Sequence, residues 1–363
     1  MPVDPIDLTR QLINIESTTF HEGRVGVFLH EFLDAQQYAV ERTPVSLPNQ
    51  PQTVHNSPAS APSAAHSETR FNVYAAIPSI TPDVVLSTHM DTVPPFFGLR
   101  EDDEFLYGRG ACDAKGIIAA QIAAADRLRE NGVKVGLLFV VGEERDSAGA
   151  AAANLHPKGS RFLINGEPTD NRLALASKGA LRVELHAHGK MAHSAYPELG
   201  DSAINKLIEA LHDLLAMPLP FEPSLGDDGH STLNIGLLHG GRAPNVIADH
   251  AEAHLLIRLI GPSEDTRAQI LQTIAGRAEV RFSLDLPFVR MRPVGLRQGS
   301  ADLPTMIAKF TTDIPSLTAW GEPFLLGPGS IHVAHTPDEK IAKKELLEAV
   351  DLYVDLATLL LTG

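Results

Sequence analysis

Apolar residues recur at helical spacing near the start of the chain and in short unbroken runs further on. Within 4–17 (DPIDLTRQLINIES), Leu8, Leu12, Ile13 and Ile15 cluster on one side, and 22–36 has the same amphipathic character, so the pattern predicts two helices. FNVYAAI (71–77) and VVLST (84–88) then predict strands, 116–130 a helix, and VGLLFVV (135–141) and FLIN (162–165) strands again. Strands alternating with helices imply an α/β fold whose mostly parallel sheet is covered on both faces.

The pattern then changes. ALRVELHAHG (180–189) alternates as a half-buried strand does, 201–217 is helical, and STLNIGLLHGG (231–241) and HAEAHLLIRLI (250–260) are strands. A helix at 263–277 and a strand EVRFSLDL (279–286) complete the order β-α-β-β-α-β of a ferredoxin-like α+β unit. Signals of the first type resume near Phe324. The expectation is a main domain in two segments, 1–177 and 289–363, interrupted by an inserted domain over 178–288. Residues 44–68 (PVSLPNQPQTVHNSPASAPSAAHSE) hold few core-forming side chains and predict a mobile loop or insertion.

Length agrees with two domains, since 363 residues exceed one core of usual size. A hydrophobic share of 44% and a charged share of 21% are those of a globular protein. The formal charge of −15 repels phosphate backbones and anionic membranes, which argues against nucleic-acid and membrane partners. The lone Cys112 fits a reducing compartment, and the start MPVDPIDLTRQLIN lacks the basic and apolar regions of a signal peptide. No stretch approaches the ~18 apolar residues of a membrane helix. These features predict a cytoplasmic protein.

Candidate ligands lie at or just past the ends of the apolar runs. His89 and Asp91 follow VVLST, Asp113 sits in GRGACDAKG before a helix, Glu143 and Glu144 follow VGLLFVV, Glu167 follows FLIN, and His335 follows FLLGPGSIHVA. In an open parallel sheet the carboxyl ends of the strands form the binding crevice, so one rim collects two histidines and several carboxylates. Like charges gathered there repel and lose solvation, and divalent cations remove that penalty. Mixed imidazole and carboxylate donors suit zinc, with cobalt or manganese as substitutes. The donors exceed one tetrahedral site and divide well between two ions if one carboxylate bridges. Two such ions share and activate a water, and a general base takes its proton. Of Glu143 and Glu144, one can bind metal while the other faces the water, and spacing alone does not decide which.

The stretches STHMDTVPPF, GRGACDAKG, VVGEERDSAGA, LINGEPT and LGPGSIHVAHTPDE resemble the dinuclear-zinc aminoacylase and carboxypeptidase family, which includes acetylornithine deacetylase, succinyl-diaminopimelate desuccinylase and carboxypeptidase G. The resemblance runs from about Phe71 to the end. It implies a zinc-exopeptidase-like catalytic domain interrupted by a ferredoxin-like lid and dimerisation domain. It also implies that Asp113 bridges the metals, that His89 and Glu167 hold one and Glu144 and His335 the other, and that Glu143 is the general base. Asp91 resembles the partner that orients His89; His332 is not expected to be a ligand.

In the lid, GKMAHSAYP places His193 where the family has an oxyanion-stabilising histidine, often reaching the neighbouring subunit of a homodimer. Asn245 and Arg258 stand where the family binds the substrate carboxylate, a task suited to the planar guanidinium. Leu256 occupies a position, two before the arginine, where the family usually has an acid. The backbone of Gly329 is a further candidate substrate contact. The implied activity is removal of an acyl group from an N-acyl amino acid, with N-acetylornithine first. The alternative is a dipeptidase or carboxypeptidase G-like peptidase. A non-catalytic binding protein is a reading of another class, whose signature would be a missing ligand or base, and none is missing.

Overall fold

The computed structural model describes residues 2–46 and 70–362, so the loop expected over 44–68 lies, from 47 onward, outside the described residues. The chain folds as two compact units. The first comprises residues 1–175, 291–306 and 312–363, and the second comprises 176–290 and 307–311.

In the first unit the strands lie in the order Ala39–Pro44, Phe71–Ala76, Val135–Val140, Val84–His89, Phe162–Asn165 and Glu322–Leu325. The last four run parallel, and Ala39–Pro44 and Phe71–Ala76 join them antiparallel at one edge. The central strands are continuous apolar runs because both faces are covered. Val84, Leu86, Leu137, Phe139 and Ile164 belong to one core, and Val85, Leu138, Val140 and Leu163 to another with Trp320. Alternate side chains along each strand therefore feed opposite layers.

The helix Gly116–Glu130 packs against Pro5–Ile13, Lys343–Thr362 and the sheet. Its run of alanines is almost wholly buried, and such short side chains permit close approach. The first helix spans Pro5–Ile13 rather than 4–17. It starts at the Asp4 cap, whose carboxylate accepts from the N–H groups of Ile6 and Asp7. It stops because the Asn14 side chain bonds back to the Arg10 carbonyl and accepts from the Leu99 N–H, drawing the chain out of the helix.

The second unit is an antiparallel sheet in the order Thr232–Gly240, His250–Leu259, Gly179–His188 and Glu279–Leu286. Helices Ala203–Ala216 and Ser263–Ile274 complete the ferredoxin-like order. Leu181, Val183, Leu185, Ala253, Leu255 and Ile257 form its core with Leu207, Leu214 and Ile270 of the helices, which fixes the register of both central strands. Among the described residues no helix is long and apolar enough to cross a membrane.

Candidate metal centre

The carboxyl ends of the parallel strands of the first unit present the charged side chains. His89 is the last residue of Val84–His89, and Glu143, Glu144 and Glu167 follow the neighbouring strands Val135–Val140 and Phe162–Asn165. Gly142, at φ 82, turns the chain ahead of the glutamate pair, and a Cβ there would fall 2.5 Å from the Arg70 guanidinium. Asp113 lies in the segment Ala111–Lys115 before helix Gly116–Glu130. His335 follows the strand Glu322–Leu325 and adopts φ 65, a region uncommon for residues other than glycine.

Two groups of ligand atoms form there, His89 with Asp113 and Glu167, and Asp113 with Glu144 and His335, each within 4.8 Å. Asp113 belongs to both. Its Oδ1 lies 2.9 Å from His89 Nε2, and its Oδ2 lies 3.2 Å from His335 Nε2. His335 Nε2 is also 2.9 Å from Glu144 Oε1, and His89 Nε2 is 4.0 Å from Glu167 Oε2. His332 is exposed and belongs to neither group.

The donor set fits divalent cations. His89 Nδ1 lies 2.9 Å from the Asp91 carbonyl oxygen, so Nδ1 carries the proton and the Nε2 lone pair of the neutral ring is aimed at a carboxylate oxygen. Either a second proton or a cation must sit between two such acceptors. Glu167 Oε1 is buried without a hydrogen-bond partner. Nitrogen and oxygen donors in this ratio suit zinc and its substitutes.

The ionisation states show the same concentration of charge. Burial opposes a charged His89, but hydrogen bonds with Asp113 and Asp91 prevail and hold its pKa well above the ordinary value. The Asp113 and Glu144 carboxylates push His335 up to about 10. Burial opposes ionisation of Asp113 as well, yet bonds from His335 and His89 hold its carboxyl below the usual range. Burial first, then the Glu167 charge, drives Glu143 well above a normal carboxyl. Burial raises Glu167 strongly and Glu144 to a lesser degree.

Asp91 does something the sequence did not indicate. Its carboxylate stands 3.6 Å from His89 Nδ1, and its main-chain carbonyl makes the closer contact. The carboxylate also accepts from the backbone N–H groups of Gly142, Glu143 and Glu144 at 2.9, 3.0 and 3.2 Å, and from the Thr19 hydroxyl at 2.9 Å. One buried residue thus holds His89 through its carbonyl and the glutamate pair through its carboxylate.

Three further buried groups escaped the sequence reading. Glu339 is fully buried, pairs with Arg109 and accepts from the Asp113 N–H at 3.3 Å, bracing the segment that carries Asp113. Burial and the Asp113 charge push the Glu339 carboxyl up to about 7 against the pull of Arg109. Asp313 is buried, and burial pushes its carboxyl up to about 7 against a pull from Ser147. Asp313 follows no strand of the parallel set, Glu339 lies well past the end of Glu322–Leu325, and Arg109 and Glu339 meet across 230 positions, so spacing carried no signal.

Gly329 is packed inside the first unit. It has φ 86, its carbonyl accepts from the Asp170 N–H, and a Cβ would come within 2.5 Å of the Cys112 Cβ. Within the second unit, His193 is exposed and bridges to Val246, and the Asn245 carbonyl accepts from the Ser194 N–H at 3.0 Å, so these two loop residues are neighbours. Arg258 is half-buried on His250–Leu259, and its guanidinium donates to the Thr311 hydroxyl at 3.2 Å.

The family model of peptidase family M20/M25/M40 matches residues 85–359. A protein of Neosartorya fischeri described as a probable carboxypeptidase is 36% identical over 400 residues, covering 96% of this chain and 84% of its own. Among solved structures, a tripeptidase of Staphylococcus aureus superposes with a TM-score of 0.76 at 21% identity, over 99% of this chain and 100% of that one. A dinuclear metal-binding M20 peptidase of Bacillus subtilis gives 0.65 at 18% identity, over 99% and 98%.

Proposed function

Because this chain belongs to peptidase family M20/M25/M40, we propose that it is a metal-dependent carboxypeptidase or dipeptidase that cuts the peptide bond next to a free terminal carboxylate. The observation that carries the reading is the sharing of Asp113 between two ligand groups at one rim of the sheet. His89 and Glu167 would hold one ion, Glu144 and His335 the other, with Asp113 between them. When bound, the ions, zinc in this proposal, supply an activated water and polarise the scissile carbonyl.

The rest falls to the chain's own residues. Glu143 binds no metal in this scheme. It takes the proton of the attacking water and returns it to the leaving amine, a task suited to a carboxyl driven up by burial. Asp91 holds Glu143 in place through its backbone N–H. The second unit would act as a lid, with His193 stabilising the developing oxyanion and Asn245 and Arg258 receiving the substrate carboxylate. His193 would serve the neighbouring subunit of a homodimer.

A screen of dipeptides, longer peptides, N-acetylornithine, succinyl-diaminopimelate and N-acetylmethionine with added zinc or cobalt tests the substrate. Preferred cleavage of peptides supports the proposal. Turnover of N-acetylornithine alone would replace it with the second reading, deacylation by the same residues, which the carboxypeptidase name of the relative does not favour.

A further inference from the structure

The ferredoxin-like unit carries a histidine cluster that the proposed reaction does not use. On its two central strands, core residues such as Leu185, Ala187, Ala251 and Ala253 point to one face. His186, His188, His250 and Glu252 alternate with them and stand on the other. The antiparallel register sets His186 opposite Glu252 and His188 opposite His250. Directly opposed residues on one face bring their side chains together.

The contacts are those of ligands rather than of hydrogen-bonded partners. Glu252 Oε2 lies 3.7 Å from His186 Nδ1 and 3.7 Å from His250 Nε2, beyond hydrogen-bonding range in both cases. Zinc holds nitrogen and oxygen donors at about 2.0–2.2 Å, which in a tetrahedron sets two of its ligand atoms roughly 3.3–3.6 Å apart, near these separations. One ligand atom from each of His186, His250 and Glu252 lies within 4.8 Å of the others. The second ring nitrogen of His186, Nε2, is buried without a hydrogen-bond partner, so no hydrogen-bond network accounts for the ring's placement. The His188 ring centroid is 5.6 Å from that of His250, close enough to supply a fourth donor.

We propose that His186, His250 and Glu252 form a further metal site, separate from the paired centre, that takes a borderline divalent transition ion such as zinc. Such an ion ties the two central strands of this unit together from the face opposite the helices. Its donor set, two imidazoles and a carboxylate, leaves a position for His188 or water.

The test compares native protein with a His186→Ala/His250→Ala variant, both dialysed against micromolar zinc, with bound zinc read by atomic emission. The variant is expected to hold one ion fewer per chain and to keep native peptidase turnover. His186→Gln/His250→Gln, which preserves bulk, is expected to show the same loss, so misfolding of the alanine variant does not decide the result. Equal zinc content in native protein and the glutamine variant overturns the site. An equal loss in a His156→Ala/His212→Ala control, which removes two exposed histidines elsewhere, overturns it too. The paired centre contributes equally to all of these proteins and drops out of the difference.

Discussion

The Asp91 carboxylate accepts the backbone N–H of Glu143 at 3.0 Å, while the carbonyl of the same aspartate lies 2.9 Å from His89 Nδ1. A single buried residue therefore sets the tautomer of one proposed metal ligand and the position of the proposed base. Asp91→Ala leaves the N–H groups of Gly142, Glu143 and Glu144 without their acceptor. With about 1–3 kcal/mol for each buried donor left unsatisfied, the loss in unfolding free energy should reach about 3 kcal/mol or more. Denaturant unfolding checks it, and Thr19→Val, which removes one bond to the same carboxylate, should cost about 1 kcal/mol.

Glu143→Gln should lower turnover by at least about 10²–10⁴-fold, the share a positioned general base contributes, with the metal content of the protein unchanged. Steady-state kinetics beside metal analysis reads both. A variant that kept native turnover would remove Glu143 from the proton transfer.

Arg109→Ala strands the Glu339 carboxylate in a fully buried site beside the Asp113 N–H. Loss of one partner of a buried ion pair costs about 3–5 kcal/mol, so unfolding should shift by that amount. Metal affinity should fall with it, because the brace on the Asp113 segment is gone. Calorimetric metal titration separates that effect from simple destabilisation.

Metal loading should release protons. In protein stripped by a chelator, His335, raised to about 10, is charged at neutral pH, whereas a ligating imidazole must be neutral. Affinity should therefore increase as pH rises from neutral towards 10, and the binding enthalpy at neutral pH should vary with the ionisation enthalpy of the buffer. The same raised pKa gives the stripped protein a stabilising contribution that is complete below the ordinary histidine value near 6.5 and is lost as pH climbs through about 10. Buffer-independent enthalpy would contradict this.

The positions of His89, Glu144 and Glu167 were legible because unbroken apolar runs mark buried parallel strands, and a charged residue just after such a run has only the sheet's rim to occupy. The alternation in 180–189 and 250–260 likewise revealed the second sheet. Asp313 and Glu339 were not legible, since their burial depends on tertiary contacts with no local period. The task of the Asp91 carboxylate was hidden for a related reason. Its nearness to His89 in sequence suggested a partner for the ring but gave no sign that folding also brings the 142–144 turn onto its carboxylate.

Two cations sharing Asp113 is the claim on which the rest depends, and counting them is the direct test. In the His186→Ala/His250→Ala background, which removes the proposed lid site, zinc titration of the stripped protein should saturate at two ions per chain. Adding Asp113→Ala should abolish tight binding of both, while Glu167→Ala should leave one. Saturation at a single ion, or two ions still bound tightly after Asp113→Ala, would contradict the account.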